Sequence, residues 1–432
     1  MRYQSDCLAR FPSYWLDTAE EPDPATPLDG DARCDVAIVG AGYTGLACAV
    51  GLAEQGLNVR VLEGGFVGWG GSGRNSGSVI RGFKSSRSDL VRAFGETRGR
   101  AMAGFGDRTA ASVYDMVDRF GIACDLRRTG WLLPAHNAAG LARTKERHRS
   151  WTADGTTGLE LLDRDAVARM LGSDAYVGGM IDHACGALHP LSYARGLARG
   201  AISLGAKVHG ETEVLSVTRQ GGLWDLRTTR GTVRADRVLI AANAYVEGLE
   251  PRVERSIATI HTHMIATDPL PADLAAQILP GQQTASDSRR ILYYWHRERD
   301  NRILFGTRGL LHGPRSAADF DHVHRALLSI YPQLAGVGIS HRWAGRVAMT
   351  KDFLPHIDEP EPGLWAAYGY CGRGVAMATS YGGLLARAML SGAGLDGIEV
   401  PRGPAPRLPG GALKSLGIVG ATQLYKLLDL LD

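Results

Sequence analysis

Apolar residues follow two different periods along this chain, and the switch between them marks its clearest unit. Asp35–Val39 is a short apolar run of strand length. A glycine turn over Gly40–Gly45 follows, and then Leu46, Val50 and Leu52 recur among Ala47, Ala49 and Ala53. That spacing predicts a helix over Thr44–Gln55, ended by Gly56 as a C-terminal glycine cap. Asn58–Glu63 returns to the strand pattern, which completes one βαβ unit. A glycine-dense loop covers 64–77, and the region from about Ser88 to Met170 reads as several helices. Pro190–Leu204 predicts another helix, and Lys207–His209 a strand. Glu213–Ala242 reads as a β-meander turning at Gln220–Gly222 and Arg230-Gly231. A hairpin spans Arg290–Gly306, with strands ILYYWH and RILFGT. His322–Leu334 predicts a helix and Ile339–Val347 a strand. The strand GLWAAYG, a glycine turn over Gly369–Gly374 and a helix over Val375–Leu390 follow. After a Pro/Gly-rich stretch the chain ends in an amphipathic pattern, ATQLYKLLDLL. Before the βαβ unit, 20–31 reads as an extended arm.

Composition changes the picture in one respect. Glycine supplies 56 of 432 residues, an excess suited to a chain wrapped closely around a large ligand. Lys+Arg 48 against Asp+Glu 45 leaves a net charge of +3. That balance predicts no nucleic-acid partner and no anionic membrane surface. Six cysteines lie scattered without a C-x-x-C pair, which predicts a reducing compartment, no disulfides and no metal site. The N-terminal segment has acids and prolines where a signal peptide needs an apolar core, and no apolar run approaches the roughly 20 residues of a membrane span. A cytoplasmic location is expected.

The turn Gly40-Ala41-Gly42-Tyr43-Thr44-Gly45 carries the first chemistry. Gly40 permits a tight turn off the strand, Gly42 a close approach of pyrophosphate, and Gly45 close packing of helix on strand. The phosphates would sit at the helix N-terminus, where free N–H groups favour anions. The Thr44 hydroxyl can add a donor there. Glu63, at the end of the second strand, is placed to accept from ribose hydroxyls and disfavours a 2′-phosphate. The loop GWGGSGRNSG, residues 68–77, supplies Gly70, Gly71, Ser72, Arg74, Asn75 and Ser76. A second ligand-hugging loop suits a flavin dinucleotide better than NAD, although a merely flexible loop is the plain alternative.

The run CDVAIVGAGYTGLACAVGLAEQGLNVRVLEGGFVGWGGSGRNSG resembles the D-amino-acid oxidase/glycine oxidase superfamily of flavoproteins. Within it, GWGGSGRNSG and the earlier SYW resemble the branch that holds gamma-glutamylputrescine oxidoreductase and L-pipecolate oxidase. The resemblance continues through Val214, VLIAAN with Ala242, WAGRVAMTKDFLPHI and GYCGRGVAMATSYG, so it covers nearly the whole chain. It implies an α/β (α+β) fold with a Rossmann-like FAD-binding domain over 1–95, 186–258 and 350–402. A discontinuous mixed β-sheet substrate domain would take 96–185 and 259–349, leaving 403–432 as a tail. It also implies bound FAD and oxidation of an amine or amino acid to the imine. Gly372, Gly374, Val375 and Ala376 would face the flavin, with the following helix aimed to stabilise negative charge on it.

Flavin N5 would take the hydride from the carbon beside a neutral amine nitrogen, so no proton-abstracting base is required. Arg81 stands near a carboxylate-binding arginine of the sarcosine-oxidase branch and leans toward an amino- or imino-acid substrate; a salt-bridged structural arginine is the equal alternative. Tyr293, Tyr294 and Trp295 would roof the pocket, with alternation sending at least one into the core. Arg346 and Arg373 could bind carboxylate or neutralise reduced flavin. His189, His261, His263 and His356 read as structural. Two departures stand out. No cysteine occupies the region of Met349, where the sarcosine-oxidase branch attaches its flavin, so non-covalent FAD is expected. Leu304 and Ala376 stand where that branch has lysines, which leaves oxidase against dehydrogenase open; Lys351 reads as an exposed lysine.

Three functions compete at this level. The first is an FAD amine or amino-acid oxidoreductase, including oxidation of gamma-glutamylated polyamines. The second is an NAD-dependent dehydrogenase. The third is a flavoprotein subunit passing electrons to a partner docked on Leu424, Leu427, Leu428 and Leu431; packing on its own chain is the plainer role for that helix. The oligomeric state is not legible.

Overall fold

The computed structural model describes residues 7–431 except 393 and 397, and the side chains of these except 412, 426, 430 and 431. Strand Ala32–Val39 lies inside an eight-stranded sheet because Val36, Ala37 and Ile38 bury both of its faces. It pairs in parallel with Val59–Leu62 on one side and Thr232–Ile240 on the other. Lys207–His209 extends the sheet beyond Val59–Leu62, and Leu364–Tyr368 and His356–Glu361 extend it the other way. The meander strands Val214–Gln220 and Leu223–Thr228 branch from Thr232–Ile240. Parallel neighbours need helical crossovers. The helix Tyr43–Ala53 supplies the first, and it is buried along nearly its whole length.

That helix packs backbone to backbone against the helix Gly374–Ser391. A Cβ on Gly382 would lie 2.5 Å from the Thr44 carbonyl oxygen, so only glycine allows the approach. Two helices far apart in the chain therefore pack closely together beside the first sheet.

A second eight-stranded sheet runs in the order Ile339–Met349, Ala258–Thr267, Ile303–Arg308, Tyr294–Arg297, Thr284–Ser286, Trp131–Pro134, Gly179–Asp182, Leu159–Leu162. Its packed face centres on Trp295, whose ring stacks with Tyr176 at 5.9 Å and Phe305 at 5.7 Å.

Several local expectations change. The region from Ser88 to Met170 holds not only helices (Arg87–Phe94, Glu96–Phe120, Ala138–Ala153, Arg164–Leu171) but also the strands Trp131–Pro134 and Leu159–Leu162. Each strand is four residues, too short to show a period of two. The hairpin strand starts at Tyr294 rather than Ile291. The Asp287 carboxylate accepts from the Arg289 and Tyr293 N–H groups at 3.3 and 3.0 Å and holds the intervening backbone as a loop. The helix expected over His322–Leu334 runs Asp321–Ile330, with a 3-10 turn at Pro332–Leu334, because Pro332 has no N–H to continue it. The C-terminal helix spans Gly411–Leu431, starting well before ATQ. Among the described residues no helix is long and apolar enough to cross a membrane.

Candidate active site

The strand Ala32–Val39 ends at Gly40, which turns at φ +107° and lies beside the Ala241 carbonyl. Gly42 then caps the helix Tyr43–Ala53 without any side chain on the first turn's N–H groups, apart from Ser72 Oγ at 3.2 Å from Tyr43 N. An uncapped helix start facing a cavity is an anion site. Gly45 has a different part: a Cβ there would stand 2.1 Å from the Gly40 carbonyl oxygen, so it permits packing and does not reach the cavity wall. Thr44 does reach the wall, with its hydroxyl 2.6 Å from Tyr370 Oη; either oxygen can be the donor in that pair. When Tyr370 donates, the Thr44 O–H is left to point at a ligand in the cavity.

Glu63 lies at the other edge of the same wall. Its carboxylate accepts from Ala41 N and Gly65 N, both at 2.9 Å, which fixes its direction and leaves a lone pair on each oxygen for hydroxyl donors. Burial pushes its pKa up against the pull of those N–H groups.

The loop 64–77 is a braced platform. Arg74 donates through Nε to the Trp69 carbonyl and through Nη1 to the Phe11 and Ala344 carbonyls. Asn75 Oδ1 accepts from Gly77 N at 2.7 Å, while Nδ2 donates to the Gly71 and Ser72 carbonyls and to Tyr43 Oη. These side chains fasten the loop while also lining the cavity. Their fastening presents Gly70, Gly71, Ser72 and Ser76 to the cavity.

The cavity has a volume of about 730 Å³. It runs from the fingerprint turn past Val214, Ala242 and the loop, and reaches Met349, Cys371, Gly372, Gly374 and Val375. Ala376 does not line it. It faces inward, fully buried in the core against the first helix, because the helix starting at Gly374 turns that position away. The far end lies between the second sheet and the loop 287–292, with Trp131, Leu133, Ser286 and Tyr294 on its walls.

The substrate candidates separate. Arg81 is off the wall: Nε donates to Asp182 Oδ2 at 2.8 Å and Nη2 to the Thr157 carbonyl at 2.7 Å, with both partners of the ion pair buried. It is the salt-bridged structural arginine, and the carboxylate clamp is corrected. Tyr293 also leaves the cavity, to lie 4.7 Å under the Arg289 guanidinium, and Trp295 is in the core. Tyr294 lines the cavity. Arg346 does too, over the Tyr245 ring at 5.2 Å with Glu247 at 3.7 Å. Arg373 lies 4.9 Å over the Trp131 ring, and its Nη1 donates to the Arg81 carbonyl. Burial pushes its pKa down to about 10.

Among the histidines, His189 accepts from Ser192 N to cap the helix Pro190–Ser203, and His356 pairs with Asp352 at 3.0 Å. His263 Nδ1 lies 3.2 Å from the Asp319 carbonyl. Leu304 is fully buried and Lys351 exposed.

Sequence reasoning missed several cavity residues. Lys84, Arg143 and Arg147 all line the far end. The available signal was Arg143 and Arg147 four residues apart, which puts both on one helix face. Tyr425 of the C-terminal helix also reaches the wall, while its Leu413, Leu416, Leu424 and Leu427 stay exposed. Leu428 is half-buried, and the Leu431 side chain lies outside the described residues.

Residues 35–388 match a family described as FAD dependent oxidoreductase. The chain is 31% identical to a probable oxidoreductase, OrdL, of Haemophilus influenzae, over 96% of this chain and 97% of that protein. It is 33% identical to gamma-glutamylputrescine oxidoreductase of Escherichia coli, over 87% and 88%. Its fold is similar to glycine oxidase from Geobacillus kaustophilus, with TM-score 0.69 at 23% identity over 83% of this chain and 95% of that one. L-Proline dehydrogenase from P. horikoshii is similar in fold at TM-score 0.68 and 19% identity, over 84% and 95%.

Proposed function

The chain belongs to the FAD-dependent oxidoreductases that act on amines and amino acids, and from that premise we propose that it oxidises the C–N bond of an amino or imino acid to the imine. One observation carries the reading. A single cavity joins an uncapped helix start and a ribose-facing carboxylate to a basic, aromatic-walled end. The first part fits FAD: the helix start at Tyr43 would hold the diphosphate, Glu63 the ribose, and Gly40 and Gly42 leave room for close approach. Attachment is non-covalent in this reading, with Met349 on the wall where a covalent anchor would need a cysteine.

Bound FAD supplies a hydride acceptor at N5. The chain's own residues then have three tasks. The braced loop 64–77 and the turn at 369–374 would fix the position of the acceptor. Tyr294, Trp131 and Leu133 exclude water and flank the substrate carbon. Arg373 attracts the substrate carboxylate, held in place by the Arg81 carbonyl and the Trp131 ring. The amine reacts as the neutral base, so activity is expected to rise with pH as the substrate ammonium loses its proton.

The test is anaerobic titration of the purified yellow protein with amines and amino acids, following the flavin's visible absorbance. Bleaching by proline-like or N-alkyl amino acids supports the proposal, and a protein that no amine bleaches sinks it. A second reading, oxidation of a gamma-glutamylated polyamine, is favoured by the 33% identity to the Escherichia coli enzyme. Selective bleaching by that class would replace the first.

A further inference from the structure

Some basic side chains on the cavity wall have an acid of their own. Arg289 pairs with Asp287, Arg290 with Asp429 at 3.1 Å, and Arg346 with Glu247 at 3.7 Å. At the end beside Trp131, Lys84, Arg147 and Arg373 stand together without one. Lys84 follows the short strand Ser78–Val79, Arg147 lies on the helix Ala138–Ala153, and Arg373 precedes the helix Gly374–Ser391. Three separate elements thus bring cations to one end of the cavity.

Among the described residues no carboxylate forms an ion pair with any of them. Asp182, which acts on Arg373 from a distance, is already bonded to Arg81. What holds the arginines is aromatic: Arg373 lies over Trp131 at 4.9 Å and Arg147 over Trp151 at 5.6 Å. An aromatic face positions a cation without neutralising it. The pKa of each of the three is pushed down by burial, and Arg373 and Arg147 repel the charge on Lys84 as well. Three like charges gathered without counter-charge are unfavourable in the empty protein, and a ligand that brings negative charge relieves them.

We propose that Lys84, Arg147 and Arg373 form a dianion-binding end of the cavity, which takes two carboxylates of an amine substrate. The preferred substrate is then an amine bearing a second carboxylate, such as an N-substituted amino dicarboxylic acid. A lone α-carboxylate would satisfy Arg373 and leave Lys84 and Arg147 facing each other. Carboxylate is favoured over a polyamine tail because the acids near this end, Asp287 and Asp182, are already paired with Arg289 and Arg81. The inference rests on the amino-acid reading above and names its substrate class.

Calorimetry on the flavin-loaded protein tests it, with glutarate, butyrate, sulfate and 1,5-diaminopentane as probes. Glutarate is expected to bind at least about tenfold more tightly than butyrate, with the diamine not detected. Lys84→Met and Arg147→Met should each remove most of that preference while keeping the flavin spectrum. Their melting temperatures should equal or exceed the parent's, because a repulsion has been removed. Equal affinity for glutarate and butyrate overturns the proposal, as does a diamine that binds more tightly. Sulfate binding as tightly as glutarate would show a general anion site and overturn the carboxylate assignment. Variants that melt lower than the parent would mark the cations as structural and overturn it too. Binding and bleaching fail separately: a bleachable protein without dicarboxylate preference sinks this inference alone, whereas a protein that no amine bleaches sinks the function reading.

Discussion

Glu298 is held between Arg127 and His296 in the protein interior. Arg127 Nη2 donates to its Oε1 at 2.7 Å, and His296 Nε2 lies 2.5 Å from the same oxygen. Burial alone would raise its pKa, but Arg127 and His296 outweigh burial and hold it at about 2. A carboxylate depressed in the fold contributes stability that is present above its unfolded value near ~4.3 and is lost as pH falls toward 2. Glu298→Gln should therefore cost about 3–5 kcal/mol at pH 7, since it strands Arg127 with only the more distant Asp125. Denaturant midpoints at pH 7, 5, 4 and 3 would show the gap between parent and variant closing below about pH 4. A gap that stays constant over that range would contradict the assignment. Arg81 makes a similar case. Arg81→Met leaves Asp182 buried with its charge unpaired, so unfolding free energy should fall by about 3–5 kcal/mol. A variant with native stability and a raised KM alone would restore the carboxylate clamp. Gly45→Ala drives a methyl into the Gly40 carbonyl, and the rigid strand and helix have no slack to relieve it. Overpacking of this kind costs about 1–3 kcal/mol, and the purified variant should lose its yellow colour on gel filtration, because the anion-binding turn shifts with it.

At the scale of elements, the C-terminal helix closes one side of the cavity. Asp429 accepts from Arg290 N at 3.0 Å, from Ile291 N at 3.3 Å and from Arg290 Nη1 at 3.1 Å, which pins the loop 287–292. Tyr425, one turn earlier, reaches the cavity wall. Asp429→Ala should raise KM by up to about tenfold, the worth of those bonds, with kcat and Tm little changed. An unaltered KM would mean that the helix merely lies on the surface. This helix also shows what was legible beforehand and what was not. Its amphipathic period predicted a helix, yet nothing in ATQLYKLLDLL says that Asp429 meets Arg290. The fingerprint was legible because its meaning is local: strand, three glycines, helix and the following acid lie within one stretch of chain. Lys84 and Arg147 were not, because their convergence is tertiary and neither stands in a motif. Arg81 was left open between clamp and structural ion pair because its place in the chain carries no information about Asp182, which lies on a strand of the second sheet. Arg74 and Asn75 were polar residues in a loop of the right kind, and only the fold shows that their bonds turn inward.

For the whole molecule, the cavity is the place where two sheets with separate cores face each other. The first sheet contributes the fingerprint turn, Glu63 and Val214; the second contributes Trp131, Ser286, Tyr294 and Arg346. A cofactor lying along this cavity touches both, so its binding free energy adds to the stability of the assembled pair. Stabilisation by a ligand that binds only the folded state grows as RT ln(1 + [L]/Kd), or roughly 2.7 kcal/mol at a hundredfold excess over Kd. The flavin-free protein should thus melt at a lower temperature than the loaded one, and added FAD should raise its Tm steadily with the logarithm of concentration. Glu63→Gln should flatten that rise by weakening the hold on the ribose, without lowering the Tm of the flavin-free protein, because burial already disfavours its charge. Differential scanning calorimetry across a range of FAD concentrations measures both slopes. If the flavin-free protein instead melts in two steps that FAD merges into one, the cofactor is what couples the two sheets. If added FAD leaves the Tm unmoved at every concentration, the cavity does not hold it.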